Sequence, residues 1–154
     1  MPLVLVEELI ASPVDQVWDV IVDVESYPRI MEPVRKVEVL SRADEEVTTE
    51  WEVELKGSVL KWVEREVHDR ESWHISYEQV SGDLEQFGGY WHLTTVDDGH
   101  TRAVLCVEFE IGIPMLKDML DPVASRALEQ NSRLMLRSIG DIAATPVAVA
   151  GRDE

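Results

Sequence analysis

Glu64 and Glu66 stand two residues apart in a segment that alternates like a β-strand, so both carboxyls leave the same side of the sheet that carries them. If that side is the interior, desolvation raises their pKa values and makes them candidate proton donors or acceptors. The run over 59–68 allows two registers. One points Leu60, Trp62, Glu64 and Glu66 inward; the other points Val59, Lys61, Val63, Arg65 and Val67 inward. The inward stretch can also end at Trp62, which leaves both glutamates at a hydrated rim. Tyr77, Gln79 and Asn131 lie on faces that are otherwise apolar, and a buried polar group needs a partner from the protein or from a ligand. Glu66, or Glu64, acting with Tyr77 would suit acid–base chemistry.

Other chemistries find no footing. His68, His74, His92 and His100 lack metal-ligand spacing, so no metal site is expected. There is no phosphate-binding glycine loop, nucleophile elbow or Cys–His arrangement, and no cofactor is implied. Gly88-Gly89 reads as a strand bulge or a point of close backbone packing. The single cysteine, Cys106, excludes an internal disulfide and reads as a small buried hydrophobe.

These residues are positioned by a recognisable succession of elements. A strand over 3–10 precedes Ser12-Pro13, where the serine can cap a helix and proline suits its first position. Val14, Val17, Trp18, Ile21 and Val22 then form one apolar stripe, and Tyr27-Pro28 and Pro33 break off a shorter helical turn. Strands follow at 34–42, 46–56, 59–68, 72–81, 86–96 and 101–111, with Asp97-Asp98-Gly99-His100 as the clearest hairpin turn. From Met115 to Ala143 the period becomes helical, with Leu116, Leu120, Ala124, Leu128, Met135, Ile139 and Ile142 in one stripe, widened by Asn131 and Leu134 among others. Pro122 predicts a break there, with a short turn at 115–120 and a helix starting near Asp121. The domain is expected to span 1–143, followed by a flexible tail over 144–154.

Seven strands bent around one helix imply an α+β domain with an internal cavity, expected to reach at least ~300 Å³. Candidate walls by alternation are Trp51, Val53 and Leu55; Trp73, Ile75, Tyr77 and Gln79; Phe87, Gly89, Trp91 and Leu93; and Leu105, Val107 and Phe109. Each can equally be plain core.

Composition narrows the partners. The net charge of −17, from 31 carboxylates against 14 cations, opposes binding to nucleic acid and to anionic membrane surfaces. No apolar run approaches the ~20 residues of a membrane span, and the first ten residues lack a basic leader, so a cytoplasmic protein is expected. The expected partner is a hydrophobic small molecule, met as a monomer or a homodimer.

The segment Ala11-Ser-Pro-Val-Asp-Gln-Val-Trp-Asp-Val, then Tyr27-Pro28, Lys61-Trp62-Val63 and Gly82 through Phe87-Gly88-Gly89-Tyr90-Trp91, resembles the polyketide cyclase/dehydrase and lipid-transport family over roughly residues 3–143. The resemblance implies a START-like helix-grip fold. It also favours the strand register that points Trp62, Glu64 and Glu66 inward. In the aromatase/cyclase branch an inward arginine pair is thought to assist cyclisation and dehydration; those places fall on Glu66 and Gln79 here. Tyr27 and Trp62 keep aromatic character at matching places, whereas Met31 replaces an aromatic. The Gly82–Trp91 segment is closer to the ubiquinone-binding coenzyme-Q chaperone branch, which implies a carrier. Enzyme and carrier both stand at this level. The candidate ligand contacts are Tyr27, Met31, Trp51, Trp62, Glu64, Tyr77, Gln79, Phe87, Trp91, Phe109, Asn131 and Met135.

Overall fold

Alternating polar and apolar residues dictate strands with one buried face, and the computed structural model, which describes residues 3–55, 58–110 and 114–144, contains seven of them. The chain runs β1 (Leu3–Ile10), α1 (Val14–Val22), a 3-10 turn (Val24–Ser26), α2 (Tyr27–Ile30), β2 (Val34–Ala43), β3 (Glu46–Leu55), β4 (Ser58–Asp69), β5 (His74–Gly82), β6 (Gln86–Asp97), β7 (His100–Glu110) and α3 (Pro114–Ala144). All pairings are antiparallel, in the order β1-β7-β6-β5-β4-β3-β2. Strands β2 to β7 are thus a meander, and α1 with α2 carries the chain from one sheet edge to the other. Helix α3 packs chiefly on β1 and α1 and only lightly on β3 and β7. This is the expected helix-grip architecture. Among the described residues no helix is long and apolar enough to cross a membrane.

Four local expectations change. Ser12 does not cap α1: its hydroxyl donates to the Ala11 carbonyl at 2.8 Å, and Pro13 occupies the cap position instead. Ser12 is held inward, with its own carbonyl accepting from Thr101 Oγ1 at 2.8 Å. Pro122 does not break α3, which starts at Pro114 and runs through. Pro122 is exposed, and on the solvent side the carbonyl left without an amide partner can be hydrated. The α3 stripe is also narrower than its apolar residues suggest. Leu136 and Ile139 are fully buried, but Leu134 and Ile142 face solvent. Finally, Trp73 precedes β5 with φ of 55° and packs edge-on against Trp18 with ring centres 5.5 Å apart, away from the cavity. The expected tail lies outside the described residues beyond Ala144.

Candidate functional site

The register of β4 is settled by burial. Glu64 and Glu66 are each 4% exposed, Trp62 and His68 share their face half-buried, and Lys61, Arg65 and Val67 face solvent. Pairing sets Trp51 opposite Trp62, Thr49 opposite Glu64, and Tyr77 opposite Glu66. The cross-strand indoles of Trp51 and Trp62 lie parallel, 2° between planes and 5.7 Å between centres. Tyr27 meets Trp51 edge-on at 5.6 Å and Phe87 tilts against Trp62 at 4.8 Å, so one aromatic row crosses the concave face.

Each indole also serves the carboxyls. Trp62 Nε1 donates to Glu64 Oε1 at 2.7 Å. Trp51 Nε1 donates to Thr49 Oγ1 at 2.8 Å, and Thr49 in turn donates to Glu66 Oε2 at 3.3 Å. His68 Nε2 lies 2.9 Å from Glu66 Oε1, and the two carboxyls are hydrogen-bonded to each other. Burial raises Glu64 well above the ordinary carboxylate range; the charge of Glu66 and the hydrogen bond to it add to this, against the Trp62 donor. Burial also pushes Glu66 up, but bonds from His68, Glu64 and Thr49 outweigh it and hold Glu66 below the ordinary value. Two adjacent buried carboxyls cannot both ionise cheaply, and of the two it is Glu64 that burial and the neighbouring charge favour in the protonated form.

A cavity of about 70 Å³ adjoins this row, lined by Trp51, Val53, Trp62, Glu64, Tyr77, Phe87, Trp91, Leu105, Val107, Leu128, Asn131, Ser132 and Met135. It has space for a few waters and falls well short of the expected ~300 Å³. Tryptophan and phenylalanine rings rise into it from the sheet, and Leu128 and Met135 from α3 fill it from above. Among the candidate contacts, Tyr27, Met31 and Phe109 are instead fully packed core, at 0–1% exposure. Glu66 stands behind Glu64 rather than on the wall. Gln79 donates to the Leu84 carbonyl at 2.8 Å and borders a shallower hollow between β5 and β6. Asn131 is tied to the Glu54 carbonyl at 3.1 Å.

Tyr77 commits its proton to the Cys106 carbonyl at 2.8 Å, and burial, with the charge of Glu64 next, raises its phenol well above the ordinary value. That bond depends on Gly89. At its φ of 155° a Cβ would stand 1.9 Å from the Cys106 oxygen and 2.9 Å from the Tyr77 hydroxyl. The glycine pair is therefore a point of close backbone packing.

Thr49, His68 and Ser132 were not among the sequence candidates. The signal for His68 lies in its place on the face shared by positions 62, 64 and 66. Among the described residues no group of three or more metal-ligating side chains is gathered.

The family model for polyketide cyclase / dehydrase and lipid transport matches residues 10–135. The granaticin polyketide synthase bifunctional cyclase/dehydratase of Streptomyces violaceoruber is 26% identical over 142 residues, covering 88% of this chain and 42% of that one. A relative from Streptomyces cyaneus is 33% identical over 96 residues, 60% of this chain and 63% of its own. The chain thus spans less than two thirds of the length of either relative. The crystal structure of the Zhui aromatase/cyclase from Streptomyces sp. R1128 matches with a TM-score of 0.89 at 25% identity, over 98% of this chain and 99% of that one. A START superfamily protein from Mycobacterium smegmatis shares the fold at a TM-score of 0.76 and 14% identity, over 91% of this chain and 98% of that one.

Proposed function

Since the chain belongs to the polyketide cyclase / dehydrase and lipid transport family, we propose that it binds an apolar, aromatic or polyketide-derived small molecule against the Trp51–Trp62–Phe87 row and acts on it as a cyclase/dehydratase. The observation that supports this reading is a buried carboxyl, Glu64, set in an apolar and aromatic wall, backed by a second carboxyl and raised by burial well above the ordinary carboxylate range. Sharing one proton lets the pair present either form. With the proton moved to Glu66, Glu64 takes the α-proton of a β-hydroxy ketone, and the C–H electron pair becomes an enolate. The enolate collapses to a C=C bond and expels hydroxide, which collects the same proton from Glu64 and leaves as water. A neutral carboxylic acid can also donate a hydrogen bond to the developing enolate, a role the aromatase branch is thought to give to arginine.

A ligand of this class needs the cavity to widen. The light packing of α3 over β3 and β7 makes displacement of that helix the cheapest route. The acidic surface keeps the protein off anionic membranes and nucleic acids, which fits a cytoplasmic protein that meets its ligand in solution.

A carrier reading is favoured by a different observation: among the described residues lining the cavity there is no cation, and most are apolar. Binding and product analysis of the full chain with a panel of poly-β-ketones and quinones separates the two. Conversion with loss of water supports the cyclase/dehydratase; saturable binding with no product leaves the carrier.

A further inference from the structure

We infer that His68 is the positioning residue of the carboxyl pair: the row Glu64–Glu66–His68 along the inward face of β4 holds a single proton at its cavity end and replaces it from the protein surface. This deepens the acid–base reading above and rests on it only for the catalytic consequence.

The geometry is asymmetric along the row. Glu66 receives donors on both oxygens, from His68 Nε2 at 2.9 Å on Oε1 and Thr49 Oγ1 at 3.3 Å on Oε2. Glu64 has Trp62 Nε1 on Oε1 at 2.7 Å as its donor and stands on the cavity wall. The carboxyl with more donors keeps its charge, and its neighbour keeps the proton. Exposure rises outward, from a 6% exposed Glu66 side chain to 15% for His68, whose ring Trp18 of α1 contacts edge-on at 6.2 Å. Histidine can accept a proton on one nitrogen while releasing one from the other, which suits the surface end of such a row.

The groups facing the row from other elements do not compete for this role. Thr49 and Trp51 from β3 and Asn131 and Ser132 from α3 are uncharged. Tyr27 from α2 and Tyr77 from β5 are held neutral by burial first and by the glutamate charges next. Of the described residues named here, His68 alone can become cationic.

Infrared titration of the full chain reads protonated carboxyls through their C=O stretch and needs no substrate. At neutral pH the wild type should show one buried protonated carboxyl, absent in Glu64→Gln. In His68→Phe, which keeps a ring against Trp18, the pair should take its second proton at a pH higher by about 1–3 units, the range over which a nearby opposite charge moves a carboxyl. In Glu66→Gln the further change His68→Phe should add no such uptake. If His68→Phe does not fold, His68→Leu is read in the same way. Thr49→Val, which removes the longer donor, should move uptake in the same direction by less. A His68 variant that titrates like wild type overturns the inference, as does a wild type with no buried protonated carboxyl at neutral pH. The expected infrared result without product formation upholds the proton placement and sinks the cyclase reading alone.

Discussion

Glu50, Glu52 and Glu54 on β3 and Glu64 and Glu66 on β4 are one residue type at one spacing on paired strands, yet they solve the problem of charge in opposite ways. The β3 set faces outward and is met by cations of β2: Lys36 lies 3.0 Å from Glu50 and Arg35 2.9 Å from Glu54. Water screens those pairs and competes with them. The β4 set faces inward, where no lysine or arginine among the described residues pairs with it; the Trp62 indole donates to Glu64, and the Thr49 hydroxyl and the His68 imidazole hold Glu66. The pleat alone decides which glutamates are salt-bridge partners and which can move a proton.

The strongest way to break this contrast is to neutralise each set. Glu64→Gln or Glu66→Gln should lower turnover of a converted poly-β-ketone by about 10²–10⁴-fold, the usual scale of a general acid or base, with binding retained. Glu52→Gln, two residues from Trp51's neighbour Glu50 on the outward side, should leave turnover within about twofold if proton transfer belongs to the inward pair. Product formation under single-turnover conditions is the measurement.

A smaller effect should follow from removing one inward donor. Trp62→Phe keeps much of the ring but leaves Glu64 Oε1 without its 2.7 Å bond. Denaturant unfolding should show a loss of about 1–3 kcal/mol, the cost of an unsatisfied buried acceptor.

Stability against pH sharpens the comparison because the two inward carboxyls have opposite signs. Glu66 is held low, so its contribution is present above the ordinary carboxylate value and is lost as pH falls through its folded value. Glu64 is held high, so its contribution is whole below the ordinary value of about 4.3 and is lost as pH rises toward its folded value. Wild type should therefore lose stability as pH rises from about 4.3 toward neutrality on account of Glu64. Glu64→Gln should flatten that fall, whereas Glu52→Gln should not, as read from urea midpoints at stepped pH.

The smallest effect belongs to the surface. Arg65→Ala removes the 2.8 Å pair with Glu78, whose side chains are 48% and 69% exposed. Its stability change should stay within about 1 kcal/mol by the same unfolding measurement.

Much of this was legible from residues. One-faced alternation such as Thr49, Trp51, Val53 marks strands whatever their neighbours, and the final helical period marks the element they grip. The alternation of β4 by itself leaves both faces open, and only the family resemblance, carried there by Trp62, favours the one that turns Glu64 and Glu66 inward. Partnership was harder. Thr49 reaches Glu66 because the β3–β4 register brings them together, and register is not written in either segment alone. Caps were hidden for a similar reason: Ser12 is drawn inward through Thr101, 89 residues away. Cavity size depends on how Trp51, Trp91, Leu128 and Met135 interdigitate between layers, a matter of side-chain volume rather than pattern.

The tightness of that 70 Å³ space turns affinity into a question of timing. A guest larger than a few waters must wait for a conformation the protein visits only part of the time. Its observed association rate would then level off at the rate of opening as concentration rises, and its apparent affinity would be weakened by the fraction of molecules open. Once the helix settles again over Leu128 and Met135, departure waits on the same event, so residence is set by the protein's own clock as much as by the contacts it makes.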